Sequence, residues 1–224
     1  MLAAGNSVRL GSKISKPLVQ LGAKPVLYYS LKTLCGIASI RSVVVVVNRA
    51  NSEAIKRIVF RYGFSKVKAV VEGGARRQDS VARGLDAVGP MCDHVLIHDS
   101  ARPFADSPAV NRLIKSIAKF DAAVLAVPVK STIKQSKAAA GASPVVKTTL
   151  DREKLWEIQT PQVFKKYILQ KAYGLYGSAA VTDDASLVEK LRIPVALVTG
   201  SYSNIKITTP EDLILAQALL KKRR

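Results

Sequence analysis

The residues best suited to chemistry in this chain are cations placed where its elements end: Arg9, Lys16, Arg77, Arg102, Arg152 and Lys206. Clustered cations without a strong base suit phosphoryl or nucleotidyl transfer, where positioning and charge neutralisation supply most of the rate. The stretch from Leu2 to Lys16 carries Gly5 and Gly11 among Arg9, Lys13 and Lys16, with no acidic residue. Glycines let the backbone press close to an anion, and cations beside it supply charge. That describes a phosphate cradle. From this stretch alone an ordinary basic N-terminal loop is equally open, because a lone glycine-rich pattern has little specificity.

Asp99 ends a short apolar run, where a carboxylate is costly unless it is paired or metal-bound. Its partner is Arg102, three residues on, or else it positions Mg2+ or a cationic side chain. His98 precedes it directly and points to the opposite face, as a core histidine would. The chain has 2 histidines, His94 and His98, flanking one predicted strand. It has no Ser-His-Asp order, no His-Glu-x-x-His and no Cys-x-x-Cys, so an activated-serine hydrolase and a zinc site are not indicated.

Apolar runs alternate with helical stripes in a way that would position these groups. Val43 to Val47 has the length and continuity of a strand covered on both faces, and Val67 to Val71, His94 to His98 and Asp121 to Val127 read as further strands. Between them lie helical patterns from Lys24 to Cys35, from Ser52 to Tyr62, around Val81 to Val88 and around Val110 to Ile117. This alternation predicts an α/β fold, a mostly parallel sheet with helices on both faces. Ligands bind such sheets beyond the carboxyl ends of the strands, and three unusual loops fall there: the opening cradle, Gly73 to Ser80, and Asp99 to Pro103.

The pattern breaks after Pro128. Val129 to Thr149 is sparse in apolar residues, and Thr132-Ile133 and Val145-Val146 read as the two sides of a hairpin arm with a soft tip at residues 138–142. Ordered sequence resumes at Asp151-Arg152 and Gln159-Thr160-Pro161-Gln162. A helix is predicted near Phe164 to Tyr176, a helix start at Thr182-Asp183-Asp184, strands near Val195 to Val198 and Ile205 to Ile207, and a last helix. Thr209-Pro210-Glu211-Asp212 announces that helix with an N-cap hydroxyl, proline in the first turn and then acids.

The 224 residues suit one domain. No apolar run approaches the roughly 18 residues of a membrane span. Cys35 and Cys92 have neither metal-ligand spacing nor a disulfide framework, so a reducing cytoplasm is the expected setting. The 35 Lys and Arg against 16 Asp and Glu give +19, which points to an anionic partner without saying which anion.

Taken together, the motifs resemble 2-C-methyl-D-erythritol 4-phosphate cytidylyltransferases over nearly the whole chain. They are Ala3-Ala4-Gly5 with Arg9 and Lys16, Gly73-Gly74 with Arg77-Gln78 and Ser80-Val81, His98 to Pro103, and Pro128-Val129 with Thr132-Ile133-Lys134. Asp151-Arg152, Gln159 to Gln162, Thr182-Asp183 and Asn204 to Thr208 complete the set. The resemblance implies a single Rossmann-like nucleotidyltransferase domain over residues 1–224, a dimerisation arm at about 128–152, and transfer of CMP from CTP to a methylerythritol phosphate. It implies Arg9 and Lys16 as catalytic residues, and Ala3, Ala4, Gly5, Gly73, Arg77, Ser80 and Ala101 around the nucleotide. Asp99, Arg102, Thr132, Arg152, Thr160, Lys206 and Thr208 fall to the second substrate, with Asp99 also a candidate ligand for Mg2+ carried mainly by the CTP phosphates. It implies a homodimer in which the arm completes the neighbouring site.

Against the family pattern, the strand before Ala3-Ala4-Gly5 is short, which suggests a truncated strand or a start lying upstream. Ser7 stands for a loop glycine, Ser15 for a proline, with Pro17 following Lys16, and Ser131 stands for an aspartate. Two rivals remain: a cytidylyltransferase for another polyol phosphate such as ribitol 5-phosphate, and a basic nucleic-acid-binding protein. The second would call for exposed aromatics along a basic stripe, yet aromatics are 6%.

Overall fold

The computed structural model describes residues 1–5, 15–137 and 143–223. Its strands are β1 (Leu2–Ala3), β2 (Gln20–Leu21), β3 (Lys24–Pro25), β4 (Val43–Val47), β5 (Val67–Glu72), β6 (His94–Ile97), β7 (Ala122–Pro128), β8 (Lys134–Lys137), β9 (Val145–Thr149), β10 (Trp156–Lys165) and β11 (Val195–Thr199). The helices are α1 (Val26–Gly36), α2 (Ser52–Arg61), α3 (Arg77–Asp86), α4 (Ser107–Ser116), α5 (Lys166–Tyr176), α6 (Ala185–Glu189) and α7 (Pro210–Lys222).

Parallel pairing joins β1 to β4 and β4 to β5, while β10 runs antiparallel between β6 and β7, and β11 lies parallel to β7. Leu2 bridges Asp99 in parallel, donating to the His98 carbonyl at 2.8 Å and accepting from the Ser100 N–H at 2.9 Å. That bridge makes one surface of both sheets, in the order β5-β4-β1-β6-β10-β7-β11.

The period-2 alternation of strand side chains divides the core between the two faces. Ala122, Val124 and Phe164 pack with α3, α5 and α6, whereas Ala123, Leu125 and Val163 pack with α4. Val43, Val45 and Val47 meet Leu27 and Leu31 of α1 and Ile55 of α2. The last helix begins as its sequence signals: Thr209 accepts from the Asp212 N–H, and Asp212 returns a bond to the Thr209 N–H, closing a capping box. Asp106 caps α4 through the Ala109 N–H, and Gly63, at φ 62°, follows the end of α2.

Four expectations need correction. Phe164 belongs to β10 and not to a helix: Gln162 to Lys165 pair with Ile97 to His94, and this ladder holds the chain extended until Lys166. Lys24 and Pro25 pair with β2, so α1 starts at Val26. The first arm strand begins at Lys134, two residues beyond Thr132, although Ile133 still accepts from the Leu150 N–H. Ile205 to Ile207 is irregular, because its neighbourhood is held by side chains and a single backbone bond, from the Ile207 N–H to the Ala101 carbonyl at 2.9 Å.

Phe164 is fully buried where β10 crosses between β6 and β7. Phe164→Ala should cost about 3–5 kcal/mol of unfolding free energy, read by urea denaturation.

Candidate active site

Three loops come together at the carboxyl ends of the parallel strands. Ala4 and Gly5 follow β1, Gly73 follows β5, and Asp99 follows β6. The Gly73 N–H donates to Val47 at the end of β4 at 2.7 Å. A Cβ on Gly73 would stand 2.5 Å from Ser80 Oγ and 2.9 Å from Ala4 Cβ, so only glycine lets the first and second loops approach this closely. Ser80 Oγ accepts from the Gly74 N–H at 3.1 Å and donates to the Arg76 carbonyl at 3.2 Å, fixing that loop onto the start of α3.

Asp99 is the electrostatic centre. Its Oδ2 lies 2.6 Å from Lys206 Nζ and its Oδ1 lies 3.7 Å from Arg77 Nη2. Burial alone would push this carboxyl up. The charges of Lys206 and Arg77, with the hydrogen bond from Lys206, outweigh it and hold the group below the ordinary carboxylate value. Arg77 also reaches Asp184 Oδ2 at 2.6 Å, and the Tyr173 hydroxyl donates to Asp184 Oδ1 at 2.6 Å. Burial and the Asp184 charge push the Tyr173 hydroxyl up, so it stays protonated as that donor.

Arg102 is not the partner of Asp99 that its spacing suggests. The two share a tight turn, the Arg102 N–H bonding the Asp99 carbonyl at 3.0 Å, and the guanidinium swings away to the carbonyls of Asn204 at 2.7 Å and Ile158 at 3.4 Å. Arg102 thereby fastens the segment that bears Lys206. Asn204 secures the same segment by donating to Gln159 Oε1 and to the Thr160 carbonyl, and Gln159 Nε2 donates to the Ser201 carbonyl.

Thr160, expected at the substrate pocket, is buried with both hydrogen-bond roles taken. Its Oγ1 accepts from the Asp99 N–H at 3.0 Å and donates to His98 Nδ1 at 3.1 Å. His98 Nε2 then donates to the Arg102 carbonyl at 3.1 Å, which sets the tautomer. His98 is the core histidine anticipated, and burial lowers its pKa to about 4, with Arg102 adding to the fall and Asp99 opposing it. Thr208 Oγ1 donates to Asp212 at 2.7 Å at the base of α7.

Lys16 opens a short turn, Lys16–Leu18, and Arg9 lies outside the described residues. Thr132 and Arg152 are exposed on the arm, where Arg152 donates to the Lys130 carbonyl at 3.2 Å. Ala101 is buried, its carbonyl receiving Ile207. A cavity of about 650 Å³ lined by Val44, Val46, Leu85 and Leu96 touches none of the candidate site residues. Among the described residues no three His, Cys, Asp or Glu side chains converge on a metal position, and Asp99 faces the cations of Arg77 and Lys206.

Sequence reading shows Asp184 only as part of a helix start, and it passes over Tyr173, Ser30 and the fastening roles of Gln159 and Asn204. Ser30 of α1 donates to the Ser100 and Arg102 carbonyls, a long-range contact with no local signature.

The sequence profile of the IspD family, described as 2-C-methyl-D-erythritol 4-phosphate cytidylyltransferase, matches residues 1–222. The chain belongs to this family. A relative of that name from Dehalococcoides mccartyi strain 195 is 46% identical over 100% of this chain and 96% of its own length. Another from Pelotomaculum thermopropionicum is 43% identical over 99% of this chain and 93% of its own. Among solved structures, the 4-diphosphocytidyl-2C-methyl-D-erythritol synthase of Anaerococcus prevotii superposes with a TM-score of 0.86 at 33% identity, covering 98% of this chain and 93% of that one. The cytidylyltransferase of Thermus thermophilus gives 0.78 at 33% identity, over 98% and 97%. The Rossmann-like nucleotidyltransferase fold of IspD members is therefore the fold of this chain, and the nucleic-acid-binding alternative falls away.

The buried neutral His98 makes stability pH-dependent. Its native pKa lies below the ordinary 6.5, so on acidification from 6.5 towards 4 the unfolded chain takes up a proton that the native ring refuses. Stability should fall across that window, by on the order of 3 kcal/mol. Urea denaturation at stepped pH should show the slope in the wild type and a reduced slope in His98→Gln.

Proposed function

We propose that this chain transfers CMP from CTP to 2-C-methyl-D-erythritol 4-phosphate, giving 4-diphosphocytidyl-2-C-methyl-D-erythritol and pyrophosphate, in the non-mevalonate route to isoprenoids. The observation that carries the reading is the Lys206–Asp99 pair at 2.6 Å. It ties the segment Asn204 to Thr208 to the very loops, after β1, β5 and β6, that an α/β sheet uses for nucleotides.

The chemistry asks little of a base. A phosphate monoester has a second pKa of about 6, so the nucleophile is already mostly a dianion at neutral pH. Bringing it to the α-phosphorus of CTP sets anion against anion. Two unit charges 4 Å apart repel by about 4 kcal/mol at an effective dielectric near 20, and positioned cations must offset this. In this reading Arg9 and Lys16 neutralise the charge that builds on the α-phosphate. Ala3, Ala4, Gly5, Gly73, Ser80 and Ala101 shape the nucleotide site largely through backbone, as their close approach favours.

Lys206 and Arg152 hold the phosphate of the second substrate. Arg102 and Thr160 act on that pocket by fixing its walls, and Thr208 sets the start of α7 beneath it. Mg2+ enters as part of the substrate, on the triphosphate of CTP, and supplies further charge neutralisation there.

The arm fits a homodimer. All residues of β8 and β9 are exposed, with Val145 and Val146 at 58% and 60%, an apolar pair with no core of its own to join. Thr132 and Arg152 on one protomer's arm would then serve the partner's cleft. No helix among the described residues is long and apolar enough to cross a membrane, and we place the reaction in the cytoplasm.

Pyrophosphate release with CTP and either methylerythritol phosphate or ribitol 5-phosphate tests the substrate. Release with the first and little with the second is expected, and the reverse would overturn the assignment. Lys16→Ala should abolish the signal. Arg152→Ala should chiefly raise KM for the polyol phosphate and Arg9→Ala should chiefly lower kcat, each by at least about tenfold. Equal effects of both substitutions on both constants would contradict this division.

A further inference from the structure

Asp99 has a second cation that is held back from it. Arg77 Nη2 is 2.6 Å from Asp184 Oδ2 but 3.7 Å from Asp99 Oδ1, so one nitrogen stands between two carboxylates and favours Asp184. Asp184 is completely buried and its other oxygen is saturated by Tyr173, which makes it a rigid rest for the guanidinium. The Asp99 side chain is 10% exposed, whereas that of Lys206 is 42% exposed. Lys206 can therefore turn towards a ligand, while Asp99 cannot turn towards water.

This arrangement has a consequence for binding. A phosphate that draws Lys206 away leaves a buried carboxylate uncompensated, and truncating one partner of such a pair is costly for the charge that stays behind. A cation about 1 Å from full contact, and already half-buried, removes most of that cost by a small shift along the line between the two acids. Lys206 and Arg77 balance Asp99 and Asp184 before the ligand arrives. After it, Arg77 alone must serve both acids, and it lies between them.

We propose that Arg77 is a positioning residue that takes over Asp99 when the substrate phosphate takes Lys206, with Asp184 and Tyr173 forming its resting cradle. The inference rests on the functional reading above, in which Lys206 meets the phosphate of the second substrate. It assigns Arg77 to the polyol-phosphate half of the site, in place of the nucleotide contact that family resemblance implies.

Arg77→Met should raise KM for methylerythritol phosphate by at least about tenfold, with KM for CTP and kcat at saturation changing by less than about threefold. Because this variant leaves Asp184 buried without its cation, Arg77→Met/Asp184→Asn is made beside it, its folding checked by thermal midpoint, and the same rise is expected. In an Asp99→Asn background, where no stranded charge needs cover, Arg77→Met should add nothing further. Calorimetric titration with inorganic phosphate reads the same effect without turnover, as at least tenfold weaker binding in Arg77→Met. A wild type that binds phosphate but forms no pyrophosphate would remove the functional reading and leave this test standing. A rise in KM for CTP instead, a wild-type KM in the double variant, or an undiminished effect in the Asp99→Asn background would overturn the proposal.

Discussion

A single buried carboxylate at the end of β6 sets the terms for everything around it. Asp99 has lost most of its water, and in that state it must have cations beside it. Lys206 and Arg77 come to it from distant parts of the chain, one from the irregular segment before α7 and one from the first turn of α3. The need to neutralise one charge thus pulls two remote loops onto the edge of the sheet, where β1 and β5 already bring Ala4 and Gly73 together. Lys206, 42% exposed, is left where it can meet an anion such as a phosphate.

The mortar of this cleft is uncharged. Strand β10 enters between β6 and β7 and shifts register between Ile158 and Gln162. That irregularity turns side chains towards the loops that need holding. Gln159 fastens Ser201, Thr160 fastens Asp99 and His98, and Gln162 fastens Asp183. Each bond is individually modest, about 1 kcal/mol net, but together they hold in place the segments around Asp99 and before Lys206. The base of the arm is tied into the same set, through the Tyr202 hydroxyl on the Pro128 carbonyl at 2.8 Å and Lys130 over the Tyr202 ring at 3.5 Å. The base of the arm and the segment that leads to Lys206 are joined through Tyr202.

Much of this was legible in the letters. The five valines of β4, the capping signals at Asp106 and Thr209, and the placement of Asp99 at a strand end follow from local rules about burial, periodicity and orphan helix donors. What local rules could not supply was pairing at a distance. Phe164 reads as helical until β6 and β7 are known to flank it. Arg102 reads as the partner of Asp99 until the carbonyls of Asn204 and Ile158 claim it. Asp184 shows only as a helix start, because its value as a buried anion exists once α3 brings Arg77 across. Their position at element ends marked Lys206 and Arg77 as candidates, but not the contact that joins them through Asp99.

The central claim is that Lys206 leaves Asp99 to hold the phosphate of the second substrate. Calorimetric titration of methylerythritol 4-phosphate into the wild type and into Lys206→Met addresses it most directly, since binding is read without chemistry. At least tenfold weaker binding is expected in the variant, with the fold intact. Equal affinity in the two proteins would contradict the claim.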